Sequence, residues 1–181
     1  MIKKILVANR GEIACRVFKT AKKMDIQTVA VYSDADENSL HVSLADEAVY
    51  IGASSASESY LSIDKIIDAC KKTGANAVHP GYGFLSERAE FCERLSAEGI
   101  IFVGPPVNAI EAMGDKITSK KIAQEANVST VPGHMGLIDD ANHAVEISNK
   151  IGYPVMIKAS AGGGGKGMRI AWNDEEAKEG F

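Results

Sequence analysis

Cysteine is scarce in this sequence: three residues, at 15, 70 and 92, are odd in number and widely spaced, which excludes a disulfide framework and a paired-cysteine zinc site. The four histidines, His41, His79, His134 and His143, fall at no metal-ligand spacing, so a structural metal site is not expected. Long apolar runs are missing too. Ile5 to Ala8, behind Lys3 and Lys4, is too brief for a signal-peptide core and far short of the roughly 20 residues that cross a bilayer. Neither sign of charge dominates: 20 basic and 24 acidic residues leave a formal net charge of -4, which gives no electrostatic case for nucleic acid or an anionic membrane. These absences point to a cytoplasmic chain whose partners must be argued from sites.

What is present is a globular composition, 45% hydrophobic over 181 residues, enough for one complete domain and part of a second. The first hundred residues alternate β-branched runs with amphipathic stretches, the pattern of a parallel sheet covered by helices. Strands are predicted at Ile2 to Ala8, Gln27 to Tyr32, Ala48 to Ile51, Ala75 to His79 and Ile100 to Val103. Ile13, Val17, Ala21 and Met24 mark the first helix; others are predicted around Ser39 to Ala45, over Ile63 to Lys72, and from a Ser86 cap to Ala97. Past Pro105 and Pro106 two helical patterns, Asn108 to Met113 and Asp115 to Ala126, flank Gly114, which sets a domain boundary there: 1–113 and 114–181. A helix over Asp140 to Ile151, strands at Val155 to Ala159 and Met168 to Trp172, and a helical opening from Asp174 to Phe181 follow. The last of these has no strong stop signal, so the sequence is expected to be a piece of a longer chain.

The strongest chemical signal is Lys158-Ala-Ser-Ala-Gly-Gly-Gly-Gly-Lys-Gly167. Consecutive glycines let backbone N–H groups turn onto an anion while nearby lysines supply charge, and phosphate is the natural guest. A Walker loop is rejected, because Lys166 is followed by Gly167 and a strand, not by Ser or Thr and a helix. Strand, glycine tip and returning strand make instead a hairpin lid able to close over a triphosphate. Lys158 sits in an apolar strand expected to be largely buried, and with Lys116 it could form a two-point cationic clamp on phosphates.

His79-Pro-Gly-Tyr-Gly-Phe-Leu-Ser-Glu87 lies between a strand and a helix, at the carboxyl end of the sheet where open α/β folds keep their ligand crevices. The glycines beside Tyr82 would present its ring outward; the competing reading is a tight connection that happens to contain an aromatic. His79 is expected to be a satisfied strand-end histidine, not a base. Asn9-Arg-Gly-Glu-Ile-Ala14 occupies the first strand-to-helix turn, but one glycine stands where a dinucleotide fingerprint has three. Glu12 would place a carboxylate where pyrophosphate should sit, so this turn is expected to be scaffold.

Taken together, Ile5 to Arg16, His79 to Glu87, Met113-Gly-Asp-Lys116 and Ile151 to Arg169 resemble the biotin carboxylases, in order and across essentially the whole sequence. The stretch around the glycines is most similar to the propionyl-CoA-directed members; acetyl-CoA, methylcrotonyl-CoA and pyruvate carboxylases share the module. The resemblance implies a Rossmann-like, pre-ATP-grasp domain over 1–113 and the beginning of an ATP-grasp domain over 114–181. It implies ATP and bicarbonate as substrates, Mg2+ as metal, and biotin, borne on a carrier domain, as the group carboxylated through carboxyphosphate.

Residue by residue, Lys116, Lys158, Gly164, Gly165 and Met168 match ATP-binding positions, and Tyr82 and Gly83 match positions near the biotin pocket. The family's metal-binding carboxylates, bicarbonate arginine and general base are expected beyond Phe181, so no catalytic or metal-binding residue is assigned here and the 181 residues alone are expected to be inactive. Expected partners are the carrier domain and a carboxyltransferase subunit. The N-terminal domain of such enzymes takes part in subunit contacts, which leaves a homodimer open, and a processed eukaryotic form would lie in the mitochondrial matrix. Two alternatives stand beside this reading: another ATP-grasp ligase, such as a carbamoyl-phosphate synthetase, and a non-catalytic subunit-interaction module.

Overall fold

The computed structural model describes residues 1–114, 116–131, 133, 134, 136–158 and 167–181, with side chains for all of these except 116 and 117. The chain divides into two compact units, Met1–Gly114 and Asp115–Phe181.

In the first unit, β1 (Lys4–Val7), α1 (Gly11–Lys23), β2 (Gln27–Ser33), α2 (Leu40–Leu44), β3 (Glu47–Gly52), α3 (Ile63–Thr73), β4 (Ala77–His79), α4 (Ala89–Ala97), β5 (Ile101–Phe102) and α5 (Val107–Gly114) follow in turn. The five strands form one parallel sheet in the order β3-β2-β1-β4-β5. Side chains alternate across it. Leu6 and Ala8 join Val29, Val31 and Val78 in a core that includes Ile66 and Cys70 of α3 and Phe91 and Leu95 of α4. Val7 packs with Ala14 and Phe18 of α1, and Ile5 with Ala21 of the same helix. Both faces are covered, which is why the strands read as near-continuous apolar runs.

From β1 the chain builds outward to β3 and then returns to lay β4 on the other side of β1. The loops leaving β1 and β4 therefore diverge from adjacent strand ends at the point where strand order reverses, the position where open parallel sheets leave a crevice.

The helix predicted from a Ser86 cap starts later, at Ala89, with Arg88 in the capping position and no side-chain cap. Ser86 N–H donates to the Gly83 carbonyl at 2.9 Å and Arg88 N–H to Leu85 at 3.1 Å, so tight turns use up residues that the sequence pattern assigned to the helix.

The second unit contains α6 (Lys116–Glu125), α7 (Ala141–Ile151), the antiparallel pair β6 (Val155–Lys158) and β7 (Met168–Ala171), and α8 (Asp174–Gly180). Asp140 caps α7 by accepting from His143 N–H at 2.8 Å, and Asn173 caps α8 by accepting from Glu176 N–H at 2.9 Å. The β6 strand is less enclosed than its apolar sequence suggests: Val155 and Ile157 are half-buried, while Met156 and Lys158 are exposed. A two-stranded ladder encloses one side of a strand at most, and hydrophobicity alone does not report that.

Candidate functional site

Asn9, Arg10, Gly11 and Glu12, leaving β1, and Tyr82, Gly83 and Phe84, leaving β4, line a cleft of about 420 Å³ at this reversal point. Two motifs separated by seventy residues of sequence thus become opposite walls of one depression. Asn9, buried, holds them together: its Nδ2 donates to the carbonyl of Pro80 at 2.9 Å and of Tyr82 at 2.7 Å. Backbone angles outside the ordinary range shape the second wall, with φ of +66° at Gly81, +64° at Gly83 and +40° at Phe84.

The Tyr82 hydroxyl donates to Glu12 Oε1 across the cleft. That hydrogen bond to a carboxylate, followed by the carboxylate's charge, raises the pKa of the phenol above its ordinary value. Glu12, expected to answer the α1 dipole and keep phosphate out, therefore also fixes the outward ring of Tyr82. The cleft offers a phenol, a carboxylate and a guanidinium beside the half-buried ring of Phe84, a surface suited to a small planar ligand carrying both polar and apolar edges. His79 closes its strand as a satisfied residue: Nδ1 accepts from Gly81 N–H at 3.0 Å, and burial lowers its pKa.

In the second unit, Lys158 and Met168 are cross-strand partners at the end of the β6–β7 ladder nearest the glycine run, and both are exposed. Gly164 and Gly165 lie outside the described residues, as does the Lys116 side chain; the Lys116 backbone begins α6. A larger depression, about 520 Å³, is lined by Tyr153, Trp172 and Asp174 among others. Its polar groups are turned on one another, since Asp174 Oδ1 accepts from Tyr153 at 2.8 Å and from Asn149 at 3.0 Å. Among the described residues no group of three His, Cys, Asp or Glu side chains could hold a metal ion, and no helix is long and apolar enough to cross a membrane.

The sequence reading missed the part played by Arg10 and Phe84 in the cleft. Arg10 stands inside the Asn9 to Ala14 motif, which a comparison with dinucleotide fingerprints dismissed as scaffold, and only the strand order brings it opposite Phe84.

Comparison with known proteins gives two adjoining matches. Residues 1–110 match the family described as biotin carboxylase, N-terminal domain, and residues 115–181 match the carbamoyl-phosphate synthase L chain, ATP binding domain. The propionyl-CoA carboxylase alpha chain of Ruegeria pomeroyi is 75% identical over 181 residues, all of this chain and 27% of that one. The mitochondrial propionyl-CoA carboxylase alpha chain of Mus musculus is 64% identical over 178 residues, 98% of this chain and 25% of that one. Among solved structures, the biotin carboxylase domain dimer of Hydrogenobacter thermophilus 2-oxoglutarate carboxylase, in complex with MgADP, ADP and bicarbonate, is similar at a TM-score of 0.84 and 50% identity. It covers 98% of this chain and 39% of that one. The chain spans about a quarter of the length of the curated relatives it matches.

Proposed function

The chain belongs to the biotin carboxylase N-terminal domain family, and from that premise we propose that it is the N-terminal portion of the biotin carboxylase component of an acyl-CoA carboxylase, propionyl-CoA carboxylase by its relatives. The parent enzyme carboxylates carrier-bound biotin with ATP and bicarbonate, through carboxyphosphate. One observation carries the reading: Asn9 to Glu12 and Tyr82 to Phe84, two motifs that resemble this family, line one cleft at the reversal point of the sheet. ATP, when bound, supplies the phosphoryl group that activates bicarbonate.

The residues of this chain bind and orient. Lys158, beside Met168, presents an ammonium next to an apolar side chain, which fits a nucleotide's phosphates and base; Lys116, Gly164 and Gly165 complete that half-site. Tyr82 and Gly83 form part of the wall that faces biotin, and the cleft's mixed polar and apolar lining fits a ureido ring. The carboxylates that would hold Mg2+ are proposed to lie outside these 181 residues, and the metal would neutralise charge on the transferring phosphoryl group. Residues 1–113 are the Rossmann-like scaffold and 114–181 the opening of the ATP-grasp domain.

The carrier domain and a carboxyltransferase subunit are the partners. The dimeric, bicarbonate- and ADP-bound relative supports ATP and bicarbonate as ligands and a homodimer as the assembly. The site of action is the cytoplasm, or the mitochondrial matrix in a processed eukaryotic form, as the mouse relative's name supports. The carbamoyl-phosphate synthetase alternative finds support in the description matching residues 115–181; the biotin carboxylase match over 1–110 weighs against it.

Bicarbonate-dependent ATP hydrolysis stimulated by free biotin tests the proposal. A full-length chain carrying this sequence is expected to be active and the 181 residues alone inactive. Absence of biotin stimulation in the full-length chain overturns the assignment, and activity of the 181 residues overturns the placing of the catalytic groups elsewhere.

A further inference from the structure

A buried polar pair, Asp36 and Tyr60, lies behind the cleft. Asp36 is 4% exposed and Tyr60 2%. The Asp36 carboxylate is divided between two sets of donors. Oδ1 accepts from Arg10 Nη1 at 2.6 Å and from Ser39 Oγ at 3.4 Å; Oδ2 accepts from the Tyr60 hydroxyl at 2.7 Å and from Ser33 Oγ at 3.1 Å. Tyr60 also accepts from Ser33 N–H at 3.3 Å, and its ring stacks on Phe84 with centroids 4.9 Å apart and planes 12° from parallel.

Arg10 and Phe84 belong to opposite walls of the cleft. One hydrogen-bonded pair therefore reaches both: Asp36 through the guanidinium of Arg10, Tyr60 through the ring of Phe84. Burial alone would raise the Asp36 pKa, but hydrogen bonds from Tyr60, Arg10 and Ser33 outweigh it and hold the carboxyl below its ordinary value. Burial, then the Asp36 hydrogen bond, pushes the Tyr60 phenol well above its ordinary value, so it remains a donor.

A buried ion is an inefficient way to stabilise a fold, because an apolar replacement of similar shape serves as well or better. Arg10 is not itself buried; half of its side chain remains exposed on the cleft side of the pair. A long, rotamer-rich cation fixed at one nitrogen and open at the others is arranged for a ligand that must be met in one geometry.

We propose that Asp36 and Tyr60 are positioning residues for the cleft, fixing Arg10 and Phe84 in the orientation that receives the ring system of biotin. The inference rests on the reading of this cleft as the biotin-facing wall.

The test measures KM for free biotin and KM for ATP in bicarbonate-dependent ATP hydrolysis by the full-length enzyme, for Asp36→Asn, Tyr60→Phe and Tyr82→Ala. Asp36→Asn and Tyr60→Phe are expected to raise KM for biotin about fivefold or more and to leave KM for ATP within about twofold. Partial unfolding removes active enzyme and lowers kcat but moves neither KM, so the split separates positioning from a purely structural role. If Asp36→Asn is not recovered folded, Tyr60→Phe decides, since it keeps the ring stacked on Phe84 and removes only the hydroxyl. Unchanged biotin KM in the Asp36 and Tyr60 variants, with a raised value in Tyr82→Ala, overturns the positioning role alone. Unchanged values in all three overturn the cleft reading and the inference with it, and a parallel rise in both KM values overturns the inference as a general disturbance.

Discussion

Asn9 and Tyr82 are tied directly: Asn9 Nδ2 lies 2.7 Å from the Tyr82 carbonyl and donates to it, while the same amide also donates to Pro80. No other side chain could be exchanged for it cheaply, because an interior donor pair must replace what water gave those two carbonyls. Asn9→Asp turns an oxygen toward them in place of the amide and is expected to lower stability by about 2 to 3 kcal/mol, against about 1 to 2 kcal/mol for Asn9→Ala. Urea unfolding midpoints check the order; an aspartate variant as stable as the alanine one contradicts it.

Gly81 and Gly83 share a left-handed backbone but not a neighbourhood. A Cβ at Gly81 would lie 2.6 Å from Asn9 Nδ2 and 2.9 Å from Asn9 Cβ, whereas a Cβ at Gly83 meets nothing within 4 Å. Gly83→Ala should therefore cost only the conformational penalty of about 1 to 2 kcal/mol. Gly81→Ala adds displacement of the amide that bridges the loops and is expected to cost at least about 1 kcal/mol more. Thermal or urea denaturation of the two variants side by side reads the difference.

Periodicity and turn chemistry locate most elements, because each is decided locally. Ile63 to Lys72 becomes Ile63–Thr73, and the helix expected over Asp140 to Ile151 forms as Ala141–Ile151, with Asp140 as its cap. Gly83 and Tyr82 are legible as exposed loop residues for the same reason. The cap at Ser86 is not, since short hydrogen-bonded turns compete there with the helix itself, and β5 ends at Phe102 although Val103 N–H still donates to the Val78 carbonyl of β4 at 2.8 Å. Least legible is the Arg10, Asp36 and Tyr60 network. Its members come from three separate connections of the chain, each looks like an ordinary polar loop residue, and only the parallel strand order places them behind one cleft.

Stability should fall in two stages as pH drops. His41 is fully buried; its Nε2 lies 3.2 Å from the Val31 carbonyl, to which it donates, and Nδ1 has no partner among the described residues. Burial lowers its pKa below the ordinary 6.5, as it does for His79. The unfolded chain therefore binds these protons first: their contribution is whole above 6.5 and is lost as pH falls from there toward the folded-state values. Asp36 and Asp46 are lowered from 3.8, so theirs is whole above 3.8 and is lost as pH falls below it. Each histidine adds a slope of up to about 1.4 kcal/mol per pH unit, and His41→Gln should remove one such slope from chemical-denaturation profiles taken between neutrality and pH about 5. Identical slopes for variant and parent exclude His41 as the source.

The thiols are expected to react in order of exposure. Burial pushes Cys70 up to about 12, and raises Cys92 with help from Glu93. Cys15 is raised as well, by burial and then by the charge of Glu12, but it is only half-buried while the other two are buried. A disulfide reagent at mildly alkaline pH should modify Cys15 first, with Cys70 and Cys92 following at the rate at which the first unit opens. Peptide mass mapping against time measures this, and modification of Cys70 ahead of Cys15 in the folded protein contradicts it.

Lys158, proposed to meet the nucleotide, allows binding to be tested apart from fold stability. It ends β6, its side chain is exposed, and among the described residues no ion pair holds it, so its charge does little for folding. Lys158→Ala is expected to change the unfolding midpoint by no more than about 0.5 kcal/mol equivalent. In the full-length enzyme the same variant should raise KM for ATP about tenfold or more, the value of one charge-assisted bond to phosphate, while Lys158→Arg restores part of it. Met168→Ala, opposite it on the ladder, removes apolar contact rather than charge and should raise KM for ATP only about two- to fivefold. KM for free biotin serves as the internal reference in all three, since the proposed reading gives that contact to the Tyr82 cleft and not to Lys158. An unchanged KM for ATP in Lys158→Ala removes this lysine from the nucleotide site and leaves the first-unit cleft reading standing.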